Sequence, residues 1–138
     1  MALETVIHRV DAELAAGLPV TPVPGDLAED GVDEVLKRML AYGSVAWPED
    51  FAEMEGEHLA GPGEITVAAG QAAWTVRPSP HGVVVKDGAS DHPRVVIDGP
   101  AGNVLRWLWG RARDDAIRTS GDADWADYLR RMLAALTQ

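Results

Sequence analysis

The stretch from Pro93 to Asp122, PRVVIDGPAGNVLRWLWGRARDDAIRTSGD, constrains the fold more than any other part of the chain. It predicts strand, helix, strand and the start of a second helix. Arg94 to Ile97 is a short β-branched run, and Asp98-Gly99-Pro100 then supplies a capping side chain, a turn and a proline whose fixed φ suits a first helical position. The helix is expected to begin at Pro100. Ala101, Val104, Leu105 and Leu108 recur at helical spacing, and Gly110 stands where a left-handed residue ends a helix. A helix with that stripe needs a sheet to lie on.

The rest of the chain supplies one. Met1 to Ala16 reads as a helix with Leu3, Val6, Ile7, Val10 and Leu14 along one side, ended by Gly17. Pro19, Pro22 and Pro24 make Leu18 to Glu29 an extended connector. From Asp30, a candidate cap, to Tyr42, Val32, Val35, Leu36, Met39 and Leu40 predict a second helix stopped by Gly43. Trp47, Phe51 and Met54 suit one side of a short helical turn and read as a satellite core cluster.

Beyond Glu57 the period changes. His58–Ala60, Glu64–Ala69, Ala72–Pro78 and Gly82–Lys86 read as an antiparallel meander divided by glycine and proline turns, and Arg94–Ile97 and Ala116–Ser120 add further strands. The last helix starts at Asp122, its expected N-cap, and carries Trp125, Tyr128, Leu129, Met132, Leu133 and Leu136 on a broad apolar side. The expected fold is α+β, an antiparallel sheet of about five strands covered by helices. Its organisation is a helix and proline-rich connector over 1–24, then one domain over 25–138.

A family resemblance rests on two separated blocks. One is the apolar strand followed by Gly99-Pro100-Ala101, Leu105-Arg106-Trp107-Leu108-Trp109-Gly110-Arg111, and a strand ending Ser120-Gly121-Asp122. The other runs from Leu3 to Glu13, with Thr21 to Pro24 and Asp30 to Leu36 after it. Together they resemble the C-terminal domain of the mycothiol-dependent maleylpyruvate isomerases and its junction with the preceding helical bundle. The resemblance implies a sterol-carrier-protein-2-like fold. It also implies a chemistry in which a metal-bound mycothiol thiolate adds to a substrate double bond, permits rotation and leaves, so mycothiol and a divalent metal such as zinc are the implied cofactors.

On that resemblance Glu4 and His8, one helical turn apart, are half of a metal site, with Asp11 beside them. Two ligands do not close a zinc site, which usually takes three protein ligands and a water. The plain alternative is a solvated Glu–His pair on a helix surface. No cofactor is therefore expected in the isolated chain. The N-terminal stripe needs its own sheet, a second copy of the chain, or a separate helical-bundle protein to cover it.

Charge narrows the partners. Acidic residues outnumber basic ones 22 to 12 and the formal net charge is −10, which disfavours nucleic acid. The chain has no cysteine, which excludes disulfides and a thiol nucleophile. No apolar run reaches the length of a membrane span, and a cytoplasmic location is expected.

Against this acidic background Arg106, Arg111, Arg113 and Arg118 fall close together in sequence. Arg111 is the first candidate to hold an acidic small molecule, since a guanidinium can grip a carboxylate with two donors, and Arg118 is the second. Arg106, Trp107, Trp109 and Trp74 complete the binding candidates, with Trp107 expected off the apolar stripe. The competing expectation for Arg111 is structural, neutralising the helix C-terminus and pairing with Asp114 or Asp115. His81 and His92 read as solvated loop residues.

Nothing in the sequence independently specifies an enzyme. Three functions stay open. The first is a stand-alone or truncated module, non-catalytic by itself, that binds a small molecule or a partner protein. The second is part of a metal- and mycothiol-dependent isomerase or transferase completed by an oligomer or a separate chain. The third is a carrier of an apolar ligand, marked by a pocket lined by Trp74 and Leu108.

Overall fold

The computed structural model describes residues 2–54 and 62–137, without the side chains of Ala2, Ala52, Glu53 and Met54. The predicted strand His58–Ala60 and the Met54 member of the satellite cluster lie outside what is described. Five strands form one sheet in the order β3-β2-β1-β4-β5. They are β1 (Ile65–Ala69), β2 (Ala72–Ser79), β3 (Gly82–Asp87), β4 (Val95–Gly99) and β5 (Arg118–Gly121). Helices α1 (Ala2–Ala15), α2 (Gly25–Glu34), α4 (Ala101–Leu108) and α5 (Ala123–Ala134) contribute to the core built against it. The α+β expectation holds.

One pairing departs from the antiparallel expectation: β1 and β4 run parallel, with Ile65 opposite Val95 and Val67 opposite Ile97. Both strands of a parallel pair must be joined by a crossover. Here the crossing segment is short and lies over the sheet. Gly88 N–H donates to the Ala73 carbonyl, and Thr75 Oγ1 donates to the Gly88 carbonyl at 2.8 Å. Ser90 N–H then donates to Thr66 Oγ1 at 3.1 Å, and Ser90 Oγ bonds Glu64 Oε1. The buried hydroxyls of Thr66 and Thr75 thus hold the 88–94 segment as it crosses from β3 to β4.

The strand alternation sorts the faces. Ile65, Val67, Trp74, Val76, Val83, Val95 and Ile97 share one face by register and are buried under the helices. Thr66, Ala68, Thr75, Arg77, Val84, Lys86 and Asp98 occupy the other. Hydrophobic burial is one-sided.

The second helix starts earlier and runs further than its apolar spacing predicts. Pro24, extended in ψ, is the residue before the first turn, so the connector ends there and not at Glu29, and Asp30 lies inside the helix. After Glu34 the chain continues through a π-helical segment, Val35–Ala41, into α3, Tyr42–Ala46. Gly43 does not stop it. Gly43 is buried instead, because Leu136 of the C-terminal segment approaches to where a Cβ would stand 3.1 Å away. A 3₁₀ turn follows at Pro48–Met54, with Phe51 packed on the core and Trp47 exposed, edge-on to Tyr42 at 5.9 Å.

Helix α1 covers its stripe with its own chain: Leu3, Ile7 and Val10 are buried, while Leu14 at the end of the stripe is 45% exposed. Helix α4 begins at Ala101, with Pro100 as the residue before it. Its four predicted stripe residues are all buried. At its end Gly110, with φ of 71°, closes a double turn: Gly110 N–H bonds the Trp107 carbonyl and Arg111 N–H bonds the Arg106 carbonyl at 2.7 Å. That turn fixes where Arg111 points.

Asp122 caps α5 as expected, its carboxylate accepting from Asp124 N–H. β5 begins at Arg118, because Asp114–Ala116 forms a 3₁₀ turn. Among the described residues no helix is long and apolar enough to cross a membrane.

Candidate functional site

The closing turn of α4 delivers Arg111 beneath α1. Arg111 Nε donates to Asp11 Oδ1 at 2.8 Å and Nη2 to Asp11 Oδ2 at 3.2 Å, while Nη1 donates to the Trp109 carbonyl at 2.7 Å. The arginine therefore does serve the helix C-terminus. Its carboxylate partner, however, is Asp11, and neither Asp114 nor Asp115. The guanidinium hydrogen bonds hold the Asp11 carboxyl below the usual carboxylate range, with burial acting against the shift. The pair is part-exposed, 30% for the Arg111 side chain and 38% for Asp11.

Asp114 has other work. It accepts from Trp107 Nε1 at 2.9 Å and from Arg130 Nη1 at 3.1 Å, and Arg130 stacks over the Trp107 ring at 5.1 Å. These contacts tie α4, α5 and the 110–115 loop together. Asp11, Arg111, Arg113, Asp114, Asp115 and Arg130 line one open depression of about 730 Å³. Arg113 is exposed on it and makes no ion pair among the described residues.

The candidates from sequence divide accordingly. Arg111 is at the depression. Arg106 lies behind it, half-buried, donating from Nη2 to the Arg111 carbonyl at 3.2 Å. Trp109 is half-buried and lines a neighbouring pocket of about 350 Å³ with Arg111, Arg130 and Arg131. Arg118 is elsewhere, paired with Asp98 at 3.5 Å across β4 and β5 on the side of the sheet away from the helices.

Two tryptophans are corrections. Trp107 is not off the buried surface: it is 1% exposed, with Arg130 of α5 over its ring and its indole N–H bonded to Asp114. Trp74 is a core residue whose indole N–H is spent on Asp33 Oδ1 at 2.8 Å. Leu108 is likewise buried in that core. A separate pocket lies among Val45, Phe51, Pro78, Val83, Tyr128 and Met132, and holds about 160 Å³.

Glu4 and His8 are both exposed on α1. Asp11, the third donor near them in sequence, is engaged by Arg111. Among the described residues no three His, Cys, Asp or Glu side chains converge as a metal site. The donors among the described residues are short of the set that a zinc ion takes. His81 and His92 are exposed in their loops, as expected.

Sequence reasoning missed Arg130 and the pairing of Asp11 with Arg111. Arg130 stands at the margin of the apolar side of α5, and no local spacing points to Asp114, 16 residues away, as its partner. Asp11 and Arg111 are 100 residues apart, and no spacing rule reaches that far.

Among curated proteins none matches. Of solved structures, the solution NMR structure of palmitated SCP2L2 from Aedes aegypti is 17% identical, with a TM-score of 0.47 over 74% of this chain and 93% of that one. The crystal structure of Sterol Carrier Protein 2 Like 2 from Aedes aegypti is 20% identical, with a TM-score of 0.42 over 74% of this chain and 95% of that one. The family model of the MDMPI C-terminal domain matches residues 26–128, more than half of the chain and the whole span from α2 into α5. The chain belongs to the MDMPI C-terminal domain family.

Proposed function

We propose that this chain is a binding module that takes a small molecule bearing a carboxylate at the depression between α1 and the 110–115 loop, and that it is not a catalyst by itself. The observation that carries this reading is the convergence of Arg111, Arg113 and Arg130 on one open depression, where they offset the aspartates Asp11, Asp114 and Asp115 in a chain of net charge −10. Arg111 is fixed there by its own helix end, and Arg130 by Asp114. Preorganised guanidinium groups suit planar carboxylates, since the fork of donors is set before the ligand arrives. Arg113, exposed and without an ion pair among the described residues, is the cation with most to give to a ligand.

The test is calorimetric titration of the full chain with succinate. Arg113→Ala should weaken binding about tenfold, the loss of one charge-assisted contact worth roughly 1.4 kcal/mol, with an unchanged melting temperature. Succinate affinity that ignores the substitution would remove Arg113 from the site. No binding by the unsubstituted chain would end the reading.

A further inference from the structure

The Arg111 guanidinium has two edges, and the one used by Asp11 is the Nε/Nη2 edge, where two parallel N–H groups meet two carboxylate oxygens at 2.8 and 3.2 Å. That is the arrangement in which an arginine grips a free carboxylate. The other edge is half taken, since Nη1 is committed to the Trp109 carbonyl at 2.7 Å. A ligand carboxylate reaching this depression therefore finds the better edge of Arg111 filled by a side chain of the same chain. Asp11 and Arg111 both line the depression and both are part-exposed, so the exchange happens in contact with solvent and requires no opening of the core.

The anchoring of α1 allows it. Leu3, Ile7 and Val10 are buried and hold the first part of the helix, whereas Leu14, Ala15 and Ala16 beyond Asp11 are exposed. Asp11 sits one residue past the last buried anchor. Its side chain can leave Arg111 without the helix leaving the core.

We propose that Asp11 is a resident carboxylate that occupies the place of the ligand's carboxylate on Arg111, so that the depression binds acidic molecules by exchange and is selective for those that offer a planar, bidentate carboxylate. The inference rests on the binding reading above and gives it a built-in competitor. A site whose competent state is only fractionally populated binds with its affinity reduced by that fraction. Removing the competitor restores the full affinity.

The experiment is succinate titration, by calorimetry, of the unsubstituted chain and of Asp11→Asn, Asp11→Ala and Asp115→Asn. Asp115 lines the same depression and is exposed, so its substitution removes the same charge without freeing Arg111. Asp11→Asn and Asp11→Ala should each bind succinate up to about fivefold tighter, the limit set by a part-exposed pair worth about 1 kcal/mol, and Asp115→Asn within about twofold of the unsubstituted chain. Equal gains from Asp115→Asn and Asp11→Asn would reduce the effect to net charge and overturn the exchange. Equal affinity of the unsubstituted chain and both Asp11 variants would overturn it too, while leaving the binding reading in place. Binding by none of the four proteins would remove both. Melting curves guard the comparison: Asp11 is a part-exposed helix-surface residue, and Asp11→Ala keeps the helix while deleting every acceptor, so the pair of variants reads the same contact by two routes.

Discussion

Asp11 and Arg111, 100 residues apart in sequence, are joined by two N–H···O contacts that fasten the N-terminal helix to the end of α4. The contact links the two segments that the prolines of the connector separate. It also sets a titration. The folded Asp11 carboxyl sits below its ordinary value because Arg111 bonds its charged form. The unfolded chain binds the proton more readily, so stability rises with pH across that window.

The pair's contribution should thus be fully present above the unfolded aspartate value, about 3.9, and vanish as pH falls through the lowered folded one. For a part-exposed pair it amounts to about 1 kcal/mol or less. Thermal melts of the unsubstituted chain and Asp11→Asn from neutral to acid pH check this: the gap between the curves should close on acidification. A gap that widens would reverse the assignment.

Thr66→Val tests the crossover. The substitution keeps the shape of the side chain and deletes the acceptor of Ser90 N–H under the 88–94 segment. Stranding a part-buried donor costs about 1–3 kcal/mol. Urea denaturation should show a loss in that range with an unchanged slope, and hydrogen exchange at Ser90 should quicken. A neutral result would mean that the segment is held by its other contacts alone.

Trp107→Phe separates ring from N–H. The core keeps an aromatic ring under Arg130, but Asp114 loses its indole donor. A loss of about 1–2 kcal/mol is expected from one hydrogen bond to a carboxylate together with the smaller ring. Asp114→Ala in the Trp107→Phe background should cost less than in the unsubstituted chain, since the two share a bond. Strict additivity on denaturation would show that the bond is not felt.

Gly121 gives a backbone test. Its φ is 110°, and a Cβ there would stand 2.4 Å from the Arg94 carbonyl oxygen and 3.1 Å from Val95 Cα, both main-chain atoms. Gly88, at φ of 93°, faces open space. Gly88→Ala should cost about 1–3 kcal/mol from conformation alone, and Gly121→Ala more, because β4 cannot move aside. Equal costs in urea would mean that β5 shifts freely.

Much of the fold was legible because local chemistry and packing agree. The stripe of α4, the left-handed Gly110, the Asp122 cap and the β1–β2–β3 meander all follow from spacing and turn residues. The failures have a common cause in tertiary contact. Gly43 looked like a stop until Leu136 required a residue without a side chain there. Trp107 reads as displaced from the stripe because one-face periodicity does not anticipate Arg130 of α5 and Asp114 of the following loop closing over a second side of α4. The parallel β1–β4 pair depends on hydroxyls of Thr66 and Thr75 receiving a crossing loop, which no alternation pattern encodes. At the site, Arg111 was legible from the helix-ending glycine before it. Its partner was not, because Asp11 meets it only through the docking of α1.

Carboxylate binding at Arg111 is read out by amide and arginine side-chain NMR of the full chain titrated with succinate. Exchange at Arg111 should give saturable shifts confined to Asp11, the 110–115 loop and Arg130, with the Arg111 Nε signal moving most as its acceptor is exchanged. Shifts confined instead to Arg77, Lys86 and Arg118 on the far face of the sheet, or no saturable shift at all, would contradict it.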